Sequence, residues 1–360
     1  MQLLIFSAEN IHQIEHQISQ NAKFDGFLFN KTPHLFLQEN DNHNFFSLFL
    51  EEKNNIYARF NIFFDEQIRE ENSIKTAYSP LKMPFGSIEF SENLSYENLH
   101  FFVNEIQKFC EEKFKTTPSP SLGRRGAKSS PPLKEGLGVV SRVIKITSYP
   151  FSYAQEQAHA LTQVLLQQNF TIKNSEITHF LDITKQNFSE NISPAAQRRL
   201  KKCQQNENLI FEKYILSDDL DEKRKQLNIC YAIFVENRQR KNYPISIDFE
   251  SLFRLFCEFP EEHNIFVVKD LSKIISFSVA IRINKIILYH FIPADVAGYE
   301  AFSPMIFLLN GMYEYCQKEQ IKILDLGIST DNGTPNYGLI RFKKSLGAKS
   351  SLKLTFEKEF

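Results

Sequence analysis

"ILDLGISTDNGTPNYGLIRFKKSLGA", residues 323–348, decides how this chain is to be read. Residues 323–328 are apolar apart from Asp325 and Gly327, and the run is short enough for a buried strand. Residues 329–336 are rich in turn formers. Residues 337–346 read as a helix that stops at Gly347 and carries Arg341, Phe342, Lys343 and Lys344. A polar loop and a basic helix thus follow a strand of the core.

Working outward, the pattern that surrounds this stretch is mixed α/β. Residues 303–318 read as a helix, and 264–270, 273–284 and 285–292 as strands. In 273–284, Ile275, Phe277, Val279, Ile281 and Ile283 alternate with Ser276, Ser278, Ala280 and Arg282, the pattern of a half-buried strand. Helices are expected at 193–206, 218–240 and 247–258, the first with Ser193 as N-cap and Pro194 at N1. The first half has the same rhythm. Helices are expected at 8–20, 96–114 and 152–168, and strands at 45–50, 56–64, 85–90, 143–149, 170–173 and 176–183. Strands joined by helical crossovers predict a mixed sheet flanked by helices in each half.

A length of 360 residues suits two domains, 1–184 and 185–360. The first contains a Pro-, Gly- and Ser-rich segment at about 116–140, whose composition cannot offset its ordering entropy and is expected to be a disordered insertion. The chain is 42% hydrophobic and 24% charged, with a formal net charge of -1, so no DNA partner is expected. Five scattered cysteines without CxxC spacing read as reduced thiols in a cytoplasmic protein. The N-terminus lacks the signature of a signal peptide, and no apolar run reaches the ~18 residues of a membrane span. The nine histidines show no metal-binding spacing, and neither a Walker loop, a Rossmann fingerprint nor a G-x-S-x-G motif occurs. No bound metal or cofactor is expected.

Three pieces resemble a known family. "SPAAQRRLKKCQQ" (193–205) is similar to the basic helix that opens the second domain of the Fem-type branch of the GNAT acyltransferase superfamily. "FSPMIFLLNGMYEYCQKEQIKILDLGIS" (302–329) resembles its helix followed by a D-x-G-ending strand, and "NYGLIRFKKSLGA" (336–348) its G-L-x-x-F-K-x-x-[FL]-G signature. The resemblance implies two tandem GNAT-like domains, with the active site in the second. It implies N-acyl transfer to a small-molecule amine, such as a cell-envelope or amino-sugar precursor. The donor would be acyl-CoA, or aminoacyl-tRNA as in Fem-type peptidoglycan enzymes. A non-catalytic binding protein that keeps the fold is the remaining alternative. The usual Arg/Gln-x-x-Gly-x-Gly/Ala cradle for CoA is missing, since 302–307 reads FSPMIF.

By the same resemblance Lys343 stabilises the oxyanion; otherwise it is an exposed helix lysine. Phe342 packs against substrate or into the core. The donor would enter between the strands of 285–292 and 322–328, with Gly327 allowing close backbone approach and Ser303 at the helix N-terminus that receives phosphates. Asp325 either orients the amine or caps the loop. His290 is a candidate general base or a hydrogen-bonded core histidine, and only one of His290 and its neighbour Tyr289 can face the gap. Arg198, Arg199, Lys201 and Lys202 form a basic cluster that either holds phosphates or is solvated. Arg238 lies near a helix end that lines the acceptor groove in the family. Tyr78, Pro84 and Gly86 resemble residues of a strand entering the cleft; a turn also accounts for them.

Overall fold

The structure is a computed structural model that describes residues 1–38, 45–69, 72–116 and 140–360. The expected insertion lies outside the described residues, save for its two end residues. In chain order the first elements are β1 (Gln2–Ser7), α1 (His12–Asn21), α2 (Thr32–Gln38), β2 (Phe45–Glu52), β3 (Asn55–Arg69), β4 (Asn72–Ser79) and β5 (Ile88–Phe90). Then come α3 (Tyr96–Thr116), β6 (Val140–Thr147), α4 (Gln155–Gln167), β7 (Thr171–Asp182), α5 (Phe188–Asn191), α6 (Pro194–Gln204) and β8 (Leu209–Tyr214). The chain continues through α7 (Leu220–Lys241), α8 (Phe249–Glu258), β9 (His263–Asp270), β10 (Lys273–Asn284), β11 (Ile287–Asp295) and α9 (Pro304–Lys318). It ends with β12 (Ile323–Ile328), the short β13 (Thr330–Asp331) and β14 (Thr334–Pro335), α10 (Tyr337–Ser345) and β15 (Lys349–Glu359). Among the described residues no helix is long and apolar enough to cross a membrane.

The chain packs as two units, Met1–Ser175 with Leu352–Phe360, and Glu176–Ser351. The sequence reading placed the divide at 184/185 and kept the last strand in the second domain; here most of that strand completes the first unit. Strand partners far apart in the chain leave no local mark, which is why a linear division misses this exchange. Strands β1, β4, β8 and helix α2 were not expected, and 171–182 is one strand where two were.

In the first unit the strands run β1-β2-β3-β4-β6-β15. All neighbours are antiparallel except β4 and β6, which pair in parallel from Ser73–Val140 to Ser79–Ile146. Leu99, Phe102, Val103 and Ile106 of α3 pack with Leu161, Val164 and Leu165 of α4 onto this sheet. Gly86 donates its N–H to Thr147 O at 3.1 Å, and a Cβ there would come within 2.7 Å of Pro80 N. That tight turn accounts for the glycine without a ligand.

The second unit repeats the order as β8-β9-β10-β11-β12-β7, with β11 and β12 as its parallel pair. The one expected cap is in place: Ser193 Oγ accepts the Ala196 N–H at 3.3 Å. Asp219, Asp248 and Asn336 cap α7, α8 and α10 in the same way. Strand β10 is not half-buried as its alternation suggested. Phe277 and Val279 enter a core with α7 and α8, while Ala280, on the other face, enters a core with α6 and α9. Helices on both faces bury the serines too, so Ser276 and Ser278 must find hydrogen bonds: Ser276 Oγ donates to Ala294 O at 3.2 Å.

Candidate active site

The parallel pair of the second unit comes apart. Strands β11 and β12 are in register only from Ile287–Ile323 to Tyr289–Asp325. Beyond that point each strand is irregular. On β11 the pairing with β10 skips from His290 to Ile292, which leaves Phe291 as a bulge. On β12 the pairing with β7 slips between Asp325 and Ile328. Gly327 lies inside that slip with φ +75°, a conformation that favours glycine. Asp325 Oδ1 accepts the Gly327 N–H at 2.7 Å and so fixes the turn. Beyond Tyr289–Asp325 the two strands no longer pair, and side chains take up main-chain groups of β12 in place of the neighbouring strand.

Lys343 is the side chain set against the β12 edge of this parting. Its ammonium donates to Gly327 O and to Ile328 O, both at 2.8 Å, and the residue is only 5% exposed. It is not the exposed helix lysine that its neighbours suggest: Lys344 and Arg341 are exposed, and successive helix residues diverge by about 100°. Burial lowers the Lys343 pKa to about 7, against the opposing pull of Asp325. An ammonium has three donors, so one N–H remains beyond the two carbonyls. Ser329 Oγ, next along, lies 2.8 Å from His179 Nδ1, and Ser350 Oγ lies 3.3 Å from the same ring's Nε2. Burial, with Lys343 and Lys344 nearby, pulls His179 down to about 4. This support of the loop was not anticipated; β7 bears a histidine that no local pattern singles out.

The two neighbours on β11 divide as expected. Tyr289 lies on the Gly327 and Arg238 side: a Cβ on Gly327 would touch its ring at 3.4 Å. Burial, and then Asp325, raise its hydroxyl pKa while Arg238 opposes them. His290 is buried, with Nδ1 2.6 Å from Ser278 Oγ. Its pKa falls to about 3, first through burial and then through Lys343, so the ring is neutral at ordinary pH.

Arg238, on α7, stacks over Phe234 at 5.0 Å and Tyr243 at 5.8 Å. Its Nε is buried without a hydrogen-bond partner, and no carboxylate pairs with it among the described residues. Burial accordingly lowers its pKa, with Tyr243 and Tyr289 opposing. Tyr243 in turn accepts a hydrogen bond from Asn336 Nδ2 at 3.0 Å, which links the α7 end to the cap of α10.

Lys343, Asp325, Gly327, Tyr289, His290 and Arg238 thus lie around the parting, with Tyr289 and Arg238 on one face of β11 and His290 on the other. The other three candidates do not. Phe342 packs against the core formed by α6 and α9. Arg198 is exposed on α6. Ser303 starts α9 at φ +54° with no side-chain cap, its Oγ 3.5 Å from Glu300 O. Of the basic cluster, Lys202 reaches the α9 start, over the Phe302 ring at 4.9 Å.

No family model matches the sequence, and no curated protein matches it. Solved structures do. FemX aligns with a TM-score of 0.66 at 11% identity, over 99% of this chain and 97% of that one. L-PGS from Bacillus licheniformis gives 0.51 at 10% identity, over 96% and 91%. A conserved protein of unknown function from Bacteroides thetaiotaomicron gives 0.51 at 12%, over 96% of each chain. At these identities the likeness shows the fold alone, and that fold is FemX-like, with a mixed sheet flanked by helices in each unit.

Proposed function

We propose that the protein transfers an acyl group to an amine at the parting of β11 and β12. The observation that carries this reading is that parting itself, with Lys343 buried at its edge. The acyl carbonyl of a donor lies between the strands. The amine attacks it, and the remaining Lys343 N–H meets the oxyanion. Neutral His290 takes the proton that the nitrogen loses. Asp325 fixes the Gly327 turn and so positions the carbonyls that orient Lys343. The unpaired Arg238 favours an acceptor bearing a carboxylate or phosphate, as a cell-envelope or amino-sugar precursor does.

Acyl-CoA is the donor in this reading. A second reading, with aminoacyl-tRNA as donor, draws support from the start of α9. Pro304 lacks an N–H there, and Phe302 and Lys202 occupy the place where a glycine cradle would bring main-chain donors to a pyrophosphate. Thermal unfolding with acetyl-CoA and with charged tRNA separates the two. At 100 times its Kd, a donor that binds only the native state stabilises by about 2.7 kcal/mol. A shift with one donor, followed by acylation of an amine, supports that donor; no shift with either supports a non-catalytic fold.

A further inference from the structure

We propose that Ser278 is a positioning residue that holds the His290 imidazole with its proton on Nδ1, so that Nε2 offers a lone pair to the reacting amine. The inference rests on the acyl-transfer reading above, but its physical core does not. Ser278 has one hydroxyl proton and two neighbours. Its Oγ lies 2.6 Å from His290 Nδ1 and donates to Val279 O at 3.2 Å. If that proton goes to Val279 O, Nδ1 must be the donor to Oγ. Both donors are then used, and only the Nε2 lone pair is open. In the other tautomer Ser278 donates to Nδ1, and its hydroxyl proton is no longer available to Val279 O. The donation to Val279 O leaves Oγ only as an acceptor toward the ring, so the arrangement favours the proton on Nδ1.

Position adds to this. Ser278 is fully buried on β10, while His290 retains 6% exposure at the residue where β11 leaves β12. The bulge at Phe291 follows directly, so the residue that bears the ring adjoins the end of the β11–β12 pairing, and Ser278 holds the ring through Nδ1. In the transfer step the amine nitrogen bonds to the carbonyl carbon and becomes cationic and acidic. Its proton moves to Nε2, and the bond from the carbonyl carbon to the donor's sulfur or ribose oxygen breaks. The imidazolium then returns the proton to that leaving thiolate or alkoxide. A weakly basic imidazole suffices because the proton it accepts comes from an acidic ammonium.

Long-range 1H–15N correlation spectra of the full chain, uniformly 15N-labelled at neutral pH, report each imidazole tautomer directly. His290→Gln assigns the ring among the nine histidines. The wild type is expected to show protonated Nδ1 and bare Nε2 at His290. Ser278→Ala should move the proton to Nε2 in most or all molecules, and Ser278→Thr, which keeps the hydroxyl, should restore the wild-type pattern. Protonated Nε2 in the wild type overturns the proposal, and so does an unchanged pattern in Ser278→Ala. The wild-type spectrum decides even if a variant does not fold. Failure of the acyl-transfer reading appears in the donor experiments and leaves this tautomer result intact.

Discussion

The two units solve one topological problem in opposite ways. Each sheet has one parallel pair, β4 with β6 in the first and β11 with β12 in the second. In the first unit the pair stays in register from Ser73–Val140 to Ser79–Ile146. In the second, the register ends at Tyr289–Asp325 and both strands bulge. The same contrast recurs in the arginines. Arg59 of the first unit is buried and bonded to Glu89 through Nε at 3.0 Å and a terminal nitrogen at 2.5 Å, while the second Glu89 oxygen accepts the Phe27 N–H at 2.6 Å. Arg238 of the second unit is left without a carboxylate among the described residues. The first unit thus keeps its parallel pair closed and its Arg59 paired, whereas the second has an open pair and an Arg238 without a carboxylate among the described residues; the contrast is not complete, since Arg142 of the first unit also has a buried Nε without a partner.

The contrast can be broken by mutation. The largest expected effect is in the first unit. Glu89→Ala strands the Arg59 charge in the core and should cost about 3–5 kcal/mol in denaturant unfolding. A loss below about 1 kcal/mol would show that the pair is not the closed structure described.

Next in size is Lys343. Lys343→Met should lower acyl transfer by ~10²–10³, as loss of an oxyanion donor does. In the native protein its pKa falls to about 7, whereas an unfolded lysine keeps its proton to about pH 10.4. The unfolded chain binds the extra proton between these limits, so this residue's contribution to stability rises with pH across them. Activity runs the other way: the charged donor is lost as pH rises through about 7. Rates measured from pH 6 to 9 should fall, with no inflection from His290, whose pKa falls to about 3.

The smallest expected effect on stability is that of Arg238→Met. It removes a desolvated charge that breaks no ion pair, so unfolding should change by no more than about 0.5 kcal/mol while the acceptor KM rises. A severe loss of stability would mean that Arg238 is structural, as Arg59 is.

Much of this contrast was legible in the sequence, and its physical limits are clear. The helix of 193–204 announced itself through Ser193 and Pro194, and the strand of 323–328 through its apolar run, because both signals are local. Lys343 and Arg238 were named from the resemblance and not from a local signal; they lie near the end of register with Asp325, Gly327, Tyr289 and His290, whereas Phe342, Arg198 and Ser303 do not. What was not legible depends on distant partners. The polar β4, NSIKTAYS, carries no alternation strong enough to declare a strand and is held between β3 and β6. The burial of Lys343 beside exposed Lys344 depends on how α10 seats against β12, and the pairing of His179 with Ser329 spans residues 150 apart in the chain. The end of register at Tyr289–Asp325 is a property of two strands together; the resemblance, and no local pattern, placed a gap between them.

Amide hydrogen exchange, followed with and without acetyl-CoA or charged tRNA, tests the central claim most directly. A bound donor should slow exchange at residues 290–292 and 326–328 of the open pair and leave residues 74–79 and 144–146 of the closed pair unchanged. Protection at the closed pair, or at neither pair with both donors, would contradict the assignment of acyl transfer to the second unit.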